Sequence, residues 1–225
     1  IQPSVDALAV AFTEEALALR EAGVDAPLLI LEGPHTARDL ALAGKLNLWP
    51  VIHSDEQLEW CKTLGADLSQ AWIKIDTGMH RLGFAAERYA GIRDTLLSYG
   101  IGEITAMSHL ASAEEPDDVL TRTQLRSWAD TVRDGQDSTS LHNSAATQHA
   151  LPAPSDWVRV GYALYGGQIK GLSSPAPLRR AMRFSSSVIA LRNVPAGESV
   201  GYGGRWTAQR DSVIATVPVS YTHLR

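Results

Sequence analysis

The sequence predicts an α/β fold, a (β/α)8 barrel lacking its first strand, followed by the opening of a mostly-β domain. Three observations carry that expectation. Short aliphatic or β-branched runs alternate with helix-period stretches at roughly 20- to 35-residue spacing, which implies parallel strands joined by right-handed crossovers. No Gly-x-Gly-x-x-Gly follows the first apolar run, which weighs against a doubly wound dinucleotide-binding sheet. Beyond Pro177 the helical periodicity stops and only strand-like runs remain.

The apolar runs centre on Leu8-Ala9-Val10, Leu28 to Leu31, Trp49-Pro50-Val51-Ile52, Trp72-Ile73-Lys74-Ile75, Ile104 to Met107, Thr139-Ser140-Leu141 and Val158-Arg159-Val160. That makes seven strands of eight, and an opening at Ile1-Gln2-Pro3 makes the first the one expected to be absent. Thr13 reads as a helix N-cap with Gly23 past the last turn, and Ser54 with Gln57 as a capping box closed by Gly65. Leu58, Cys61 and Leu64 share one face of that second helix. Leu125, Trp128 and Val132 share a face of a helix from about Asp117 to Arg133. The turn-rich stretch Gly171 to Pro177 separates two parts. The expected division is a partial barrel over 1–172, a linker over 173–177 and a truncated β domain over 178–225. Its strand-like runs are Arg183 to Arg192, Ser199 to Tyr202 and Ser212 to Val219, with a turn at Pro195-Ala196-Gly197-Glu198.

Composition narrows the function. With 225 residues, 44% hydrophobic and a net charge of −5, the chain is neither disordered nor collagen-like, and it has no basic footprint for nucleic acid. No apolar run approaches the roughly 18 residues of a membrane helix. Cys61 is the only cysteine, so no internal disulfide forms, and a cytoplasmic location is expected. The histidines at 35, 53, 80, 109, 142, 149 and 223 show no i, i+4 pair, which argues against a metal site, and no Gly-x-Ser-x-Gly elbow marks a serine hydrolase.

Polar residues concentrate where predicted strands end, which is where barrels build their sites. After Ile75 come Asp76-Thr77-Gly78-Met79-His80-Arg81-Leu82-Gly83. An Asp76–Arg81 ion pair bracing a turn explains this segment as well as function does. Ser108-His109, His142-Asn143-Ser144 and Arg159-Val160-Gly161 repeat the pattern. Asn143-Ser144 before Ala145-Ala146 reads as an N-cap, or as free N–H groups and a hydroxyl that hold phosphate. His109 alone reads as a buried histidine, but four polar strand ends in succession shift that balance toward a site.

Lys74 to Phe84, Ser108 to Ala113, Asn143 to Ala146, Trp157 to Gly166 and Gly197 to Gly203 resemble the alanine racemases, more closely their proteobacterial members. The resemblance covers nearly the whole chain. It implies a fold-type III enzyme dependent on pyridoxal 5'-phosphate, acting as a homodimer that interconverts L- and D-alanine and supplies D-alanine for peptidoglycan. By matching positions, Arg159 faces the pyridine nitrogen, Asn143, Ser144 and the backbone at Gly161 and Tyr162 lie at the phosphate, and Arg81 contacts the phenolic oxygen and the substrate. Tyr202 matches the tyrosine that serves one face of the substrate carbon in the partner's site. His109 matches the histidine linking that tyrosine to Arg159, and Tyr221 matches one at the substrate entry. An arginine keeps its proton, so the ring nitrogen stays an acceptor and the electron sink is weak, which favours reprotonation over transamination.

The family's Schiff-base lysine lies upstream of Ile1, and none of Lys45, Lys62, Lys74 or Lys170 matches it. The lysine at Lys74's position carries a carbamate in many members, an anion that would orient Arg81. The tail Thr222-His223-Leu224-Arg225 departs from the family pattern. On these grounds the 225 residues alone are expected to be inactive. A serine or other amino-acid racemase, a non-catalytic cofactor carrier, and a sugar-phosphate isomerase or aldolase using Arg81 and Ser144 are the competing readings.

Overall fold

The computed structural model describes residues 4–169, 172, 178–183 and 185–218. They fall in two compact units, Ile1–Arg179 and Arg180–Arg225. The first alternates strand and helix: β1 Leu8–Val10, α1 Thr13–Glu21, β2 Leu28–Ile30, α2 Ala37–Lys45, β3 Leu48–Ile52, α3 Asp55–Leu64, β4 Gln70–Asp76, β5 Phe84–Ala85, α4 Tyr89–Ser98, β6 Glu103–Met107, α5 Val119–Thr131, β7 Ser138–Ser140, α6 Ser144–His149 and α7 Gly161–Leu164. The strands pair in parallel in the order β1-β2-β3-β4-β6-β7, with β5 appended to β4. This is a partial (β/α)8 barrel.

The period-2 pleat sorts the strand residues into two layers. Leu28, Ile30, Ile52, Ile73, Ile75, Ile104 and Ala106 pack with helix residues such as Leu40, Cys61, Leu96 and Trp128. Leu29, Val51, Trp72 and Met107 form the opposite layer, against which Leu31, Trp49 and Trp157 pack. Trp49, Trp72 and Trp157 meet there with ring centroids 5.6 to 6.4 Å apart.

Three local expectations are corrected. The run Val158-Arg159-Val160 forms no strand, only an isolated parallel bridge between Asn143 and Arg159. Side chains take the ladder's place: Asp156 accepts the Thr139 N–H at 2.8 Å, and Ser155 Oγ accepts those of Leu141 and His142 at 3.0 and 3.1 Å. Phe12, not Thr13, is the N-cap of α1, because the Glu15 carboxylate accepts the N–H groups of Ala11 and Phe12 and starts the helix one residue earlier. In α5, capped by Asp118, the fully buried stripe is Thr121, Gln124 and Trp128. Leu125 and Val132 sit at its edge. Ser54 caps α3 as expected, but Gln57 reaches the His53 N–H instead of closing the reciprocal box.

In the second unit, β8 Ala190–Val194 pairs antiparallel with β11 Ser212–Thr216, and β9 Ser199–Val200 with β10 Trp206–Thr207. The run from Arg183 enters its strand only at Ala190. The linker residues 173–177 lie outside the described residues. Among the described residues, no helix is long and apolar enough to cross a membrane, and no three metal-ligating side chains gather.

Candidate active site

The pleat of β4 puts Lys74 on the same face as Trp72, and Lys74 is buried. Burial, reinforced by the guanidiniums of Arg159 and Arg81 and opposed by Asp76, pulls its ammonium down to about 8. A minor neutral fraction, about a tenth at pH 7, is therefore present.

Beyond Lys74, Asp76 organises a tight return. Its Oδ1 accepts the N–H groups of Gly78, Met79 and His80 at 2.9, 3.0 and 3.1 Å, and its Oδ2 meets His80 Nδ1 at 3.0 Å. The expected Asp76–Arg81 ion pair is not formed. Collecting three N–H groups on one oxygen folds residue 80, at φ +56°, back over residue 76, and the imidazole takes the place the guanidinium was assigned. Arg81 is left exposed, with no ion pair among the described residues. Burial opposes ionisation of Asp76, but the His80 and Gly78 N–H groups and the His80 ring hold it below the usual carboxylate range. The loop returns through Gly83, where a Cβ would lie 2.8 Å from the Asp76 nitrogen, so only glycine lets β5 pair beside Ile75 and Asp76.

Arg159 and His109 come together at the ends of β6 and β7. The Arg159 Nη1 donates to the Ser140 carbonyl at 3.0 Å and to Ser140 Oγ. Its Nη2 donates to the Ser108 carbonyl at 2.6 Å and lies 3.3 Å from His109 Nδ1. The Nε–H has no partner among the described residues. Desolvation lowers the guanidinium to about 10, which leaves it charged at neutral pH. A permanent donor at Nδ1 fixes the neutral His109 tautomer with its proton on Nε2. Burial, then Arg159, Lys74 and Arg81, holds His109 down at about 4.

That shift has a consequence for stability. Between about pH 6.5 and 4 the unfolded chain binds a proton at His109 that the folded chain does not, so stability falls as the solution is acidified through that window, by about 1.4 kcal/mol per pH unit from this one group. Urea unfolding at about pH 7 and 4.5 should show the wild type losing about 2 kcal/mol more than His109→Gln. An equal loss in both proteins would contradict the assignment.

Asn143 caps α6, its Oδ1 accepting from the Ala146 N–H at 3.0 Å and its Nδ2 donating to the Leu110 carbonyl at 3.3 Å. Ser144 Oγ accepts the Ala163 N–H of α7 at 3.0 Å. That bond sets two helix starts side by side. The first-turn N–H groups of Ser144, Ala145, Gly161 and Tyr162 have no acceptor within their own helices, an arrangement that suits an anion. Lys74, His109, Asn143, Ser144, Arg159, Gly161 and Tyr162 thus gather at one end of the sheet. Tyr202, in the second unit, opens a 3-10 turn after Gly201 (φ +78°) and is fully exposed. Tyr221 lies outside the described residues.

Three groups of neighbours escape sequence reading: the Ser140 anchor, the three tryptophans and Gln124. For Gln124 a signal existed, since it lies on one helical stripe with Thr121 and Trp128 and so could be read as buried.

Two sequence profiles match, the alanine racemase N-terminal domain over residues 1–169 and the alanine racemase C-terminal domain over residues 181–223. The chain belongs to the alanine racemase family. The alanine racemase of Shewanella frigidimarina is 40% identical over 96% of this chain and 59% of its own length. The biosynthetic alanine racemase of Pseudomonas aeruginosa is 40% identical over 98% of the chain and 63% of its own length, and its crystal structure superposes with a TM-score of 0.78 over 97% of the chain and 62% of that structure. An alanine racemase from Bartonella henselae with covalently bound pyridoxal phosphate, 27% identical, superposes at 0.72 over 96% of this chain and 61% of its own. The chain therefore spans about 60% of the length of the relatives it matches.

Proposed function

We propose that the full-length protein containing this chain interconverts L- and D-alanine with pyridoxal 5'-phosphate, supplying D-alanine for peptidoglycan. The observation that carries the reading is the Arg159 clamp: both terminal nitrogens are spent on Ser140 and Ser108, leaving the Nε–H for an acceptor such as a pyridine nitrogen. The paired starts of α6 and α7 fit the phosphate through Ser144, Asn143, Gly161 and Tyr162. These donors suit a ring that carries an acceptor at one end and an anion at the other.

When bound, pyridoxal phosphate holds the amino acid and delocalises the electron pair left at its Cα. Arg159 keeps its own proton and gives none to the ring, so charge stays concentrated near Cα and a proton returns quickly. Arg81 would meet the phenolic oxygen and the substrate carboxylate. Tyr202 would carry the proton at one face, in the site of a partner subunit, with the His109 Nε2–H linking its phenolate to Arg159. The opposite face requires a second base, for which none of the chain's four lysines is matched.

The test is direct. The full-length protein should bind pyridoxal phosphate saturably and racemise alanine, in preference to serine, within a panel of L-amino acids. Failure to bind the cofactor would favour a sugar-phosphate enzyme, and binding without turnover a carrier.

Lys74 is proposed to carry a carbamate. Carbon dioxide would add to the neutral amine that its lowered pKa provides, the nitrogen losing one proton to solvent, and the resulting carbamate anion would neutralise the repulsion from Arg81 and Arg159. Isotopically labelled bicarbonate should give a carbamate carbonyl signal in NMR that vanishes in Lys74→Met. Its absence from the wild type would remove this role.

A further inference from the structure

Gln124 is an uncharged polar side chain near the site with no exposed surface. It comes from α5, yet its amide is spent at the ends of two strands. The Oε1 accepts the Ala111 N–H at 2.9 Å, which fixes the amide orientation. The Nε2 then donates to the His109 carbonyl at 3.0 Å and to Thr77 Oγ1 at 3.3 Å. From Thr77 the chain continues: its hydroxyl lies 2.9 Å from Ser108 Oγ, which donates to the Ile75 carbonyl at 2.8 Å. Ser108 Oγ spends its proton on Ile75, so Thr77 donates to Ser108 and must accept from Gln124. The polarity of the network is therefore fixed, Gln124 to Thr77 to Ser108 to Ile75.

We propose that Gln124 is a positioning residue that holds the His109 backbone and the Asp76–Gly83 return in one register, so that the imidazole meets Arg159 while Arg81 is presented beside Lys74.

The two halves of the clamp are complementary. Arg159 grips the carbonyl of Ser108 and Gln124 the carbonyl of His109, so the residue bearing the imidazole is held by consecutive peptide oxygens from opposite sides. The β4 side is tied by the same nitrogen through Thr77, one residue after the carboxylate that gathers the return. Gly78 rests on the Gln124 stem, where a Cβ would come within 3.3 Å of its Cγ. Losing the amide leaves the part-buried Ala111 N–H and His109 carbonyl without this partner and cuts the bond to Thr77, so one of the ties between the two strand ends is lost. Burial first, and then the charged groups that face His109, the Arg159 and Arg81 guanidiniums and the Lys74 ammonium where it is unmodified, keep the imidazole neutral while it is held in this place.

The rate measurements rest on the racemase reading; the NMR measurement does not. In the full-length protein, Gln124→Met preserves the volume and removes every hydrogen bond. It should still bind cofactor, lose about tenfold or more in kcat with a smaller change in KM, and shift the acid limb of the pH profile up toward an ordinary imidazole value of about 6.5. Nitrogen NMR of the imidazoles should show one His109 tautomer in the wild type and an averaged signal in Gln124→Met. Thr77→Val cuts the bridge from the β4 side and should move the same quantities in the same direction, even if Gln124→Met does not fold. Thr121→Val removes another fully buried hydroxyl of α5, one bonded to the Ser112 carbonyl at 2.8 Å, and should lower Tm without moving the acid limb. An unchanged tautomer signal and pH profile in Gln124→Met and Thr77→Val would overturn the proposal. So would a Thr121→Val limb that moves as far as theirs, because any damage to the helix would then suffice. A wild type with no racemase activity but with the tautomer change would refute the proposed function and leave the positioning role standing.

Discussion

Arg159→Glu in the full-length protein is expected to lower the racemisation rate by about a hundred- to a thousandfold and to produce a new long-wavelength absorbance band under substrate. The guanidinium donates to the carbonyls of Ser140 and Ser108 and to Ser140 Oγ, and the carboxylate that replaces it has no proton for any of them. It can instead stabilise a protonated ring nitrogen. That deepens the electron sink, slows return of the proton to Cα and lets charge-delocalised species accumulate. The Ser108 carbonyl loses its donor, at about 1–3 kcal/mol, while the Ser140 carbonyl keeps the Ser108 N–H at 3.0 Å and the Ser140 hydroxyl keeps its bond to the Trp157 carbonyl, so a modestly lower Tm is expected as well. Arg159→Lys, which keeps a cation and loses the fork, separates the effects: it should be destabilised without the new band. A spectrum under substrate that is unchanged in Arg159→Glu would place Arg159 elsewhere than at the pyridine.

Tyr202→Phe is expected to suppress conversion of one enantiomer by about a hundred- to ten-thousandfold while leaving cofactor bound, the range typical for loss of one general acid or base. The fold of the second unit should survive, because Tyr202 is fully exposed in a turn whose entry is set by Gly201. Only the hydroxyl is lost. Isotope exchange at Cα, followed separately from each enantiomer, reads the asymmetry. Near-normal rates in both directions would exclude Tyr202 as the acid or base of one face.

The parallel order of the sheet was legible because each β-branched run ended where a helix-period run began, and parallel neighbours need such crossovers. The polar ends of the strands were legible too: His109, Asn143, Ser144 and Arg159 stand together as their places after successive strands imply. The seventh strand was misread because an apolar run does not reveal that Ser155 and Asp156, just before it, will take the neighbouring strand's N–H groups. Likewise the acid–base partner of Asp76 could not be chosen from spacing. His80 and Arg81 are adjacent in sequence, and only the left-handed turn at His80 decides which one faces the carboxylate.

Local periodicity and strand-end chemistry determined the alternating architecture and the residues offered to a site, because these depend on neighbours within a few positions, while the family was legible from the resemblance of its motifs. The tertiary structure alone decided the hydrogen-bond partners of those residues. An enclosed guanidinium or amide takes its acceptors where the fold brings them, and for Arg159 and Gln124 those acceptors lie 15 to 51 residues away along the chain. Lys74 shows the same division: the pleat fixes its face, while its pKa of about 8 comes from burial and from cations that only folding brings near.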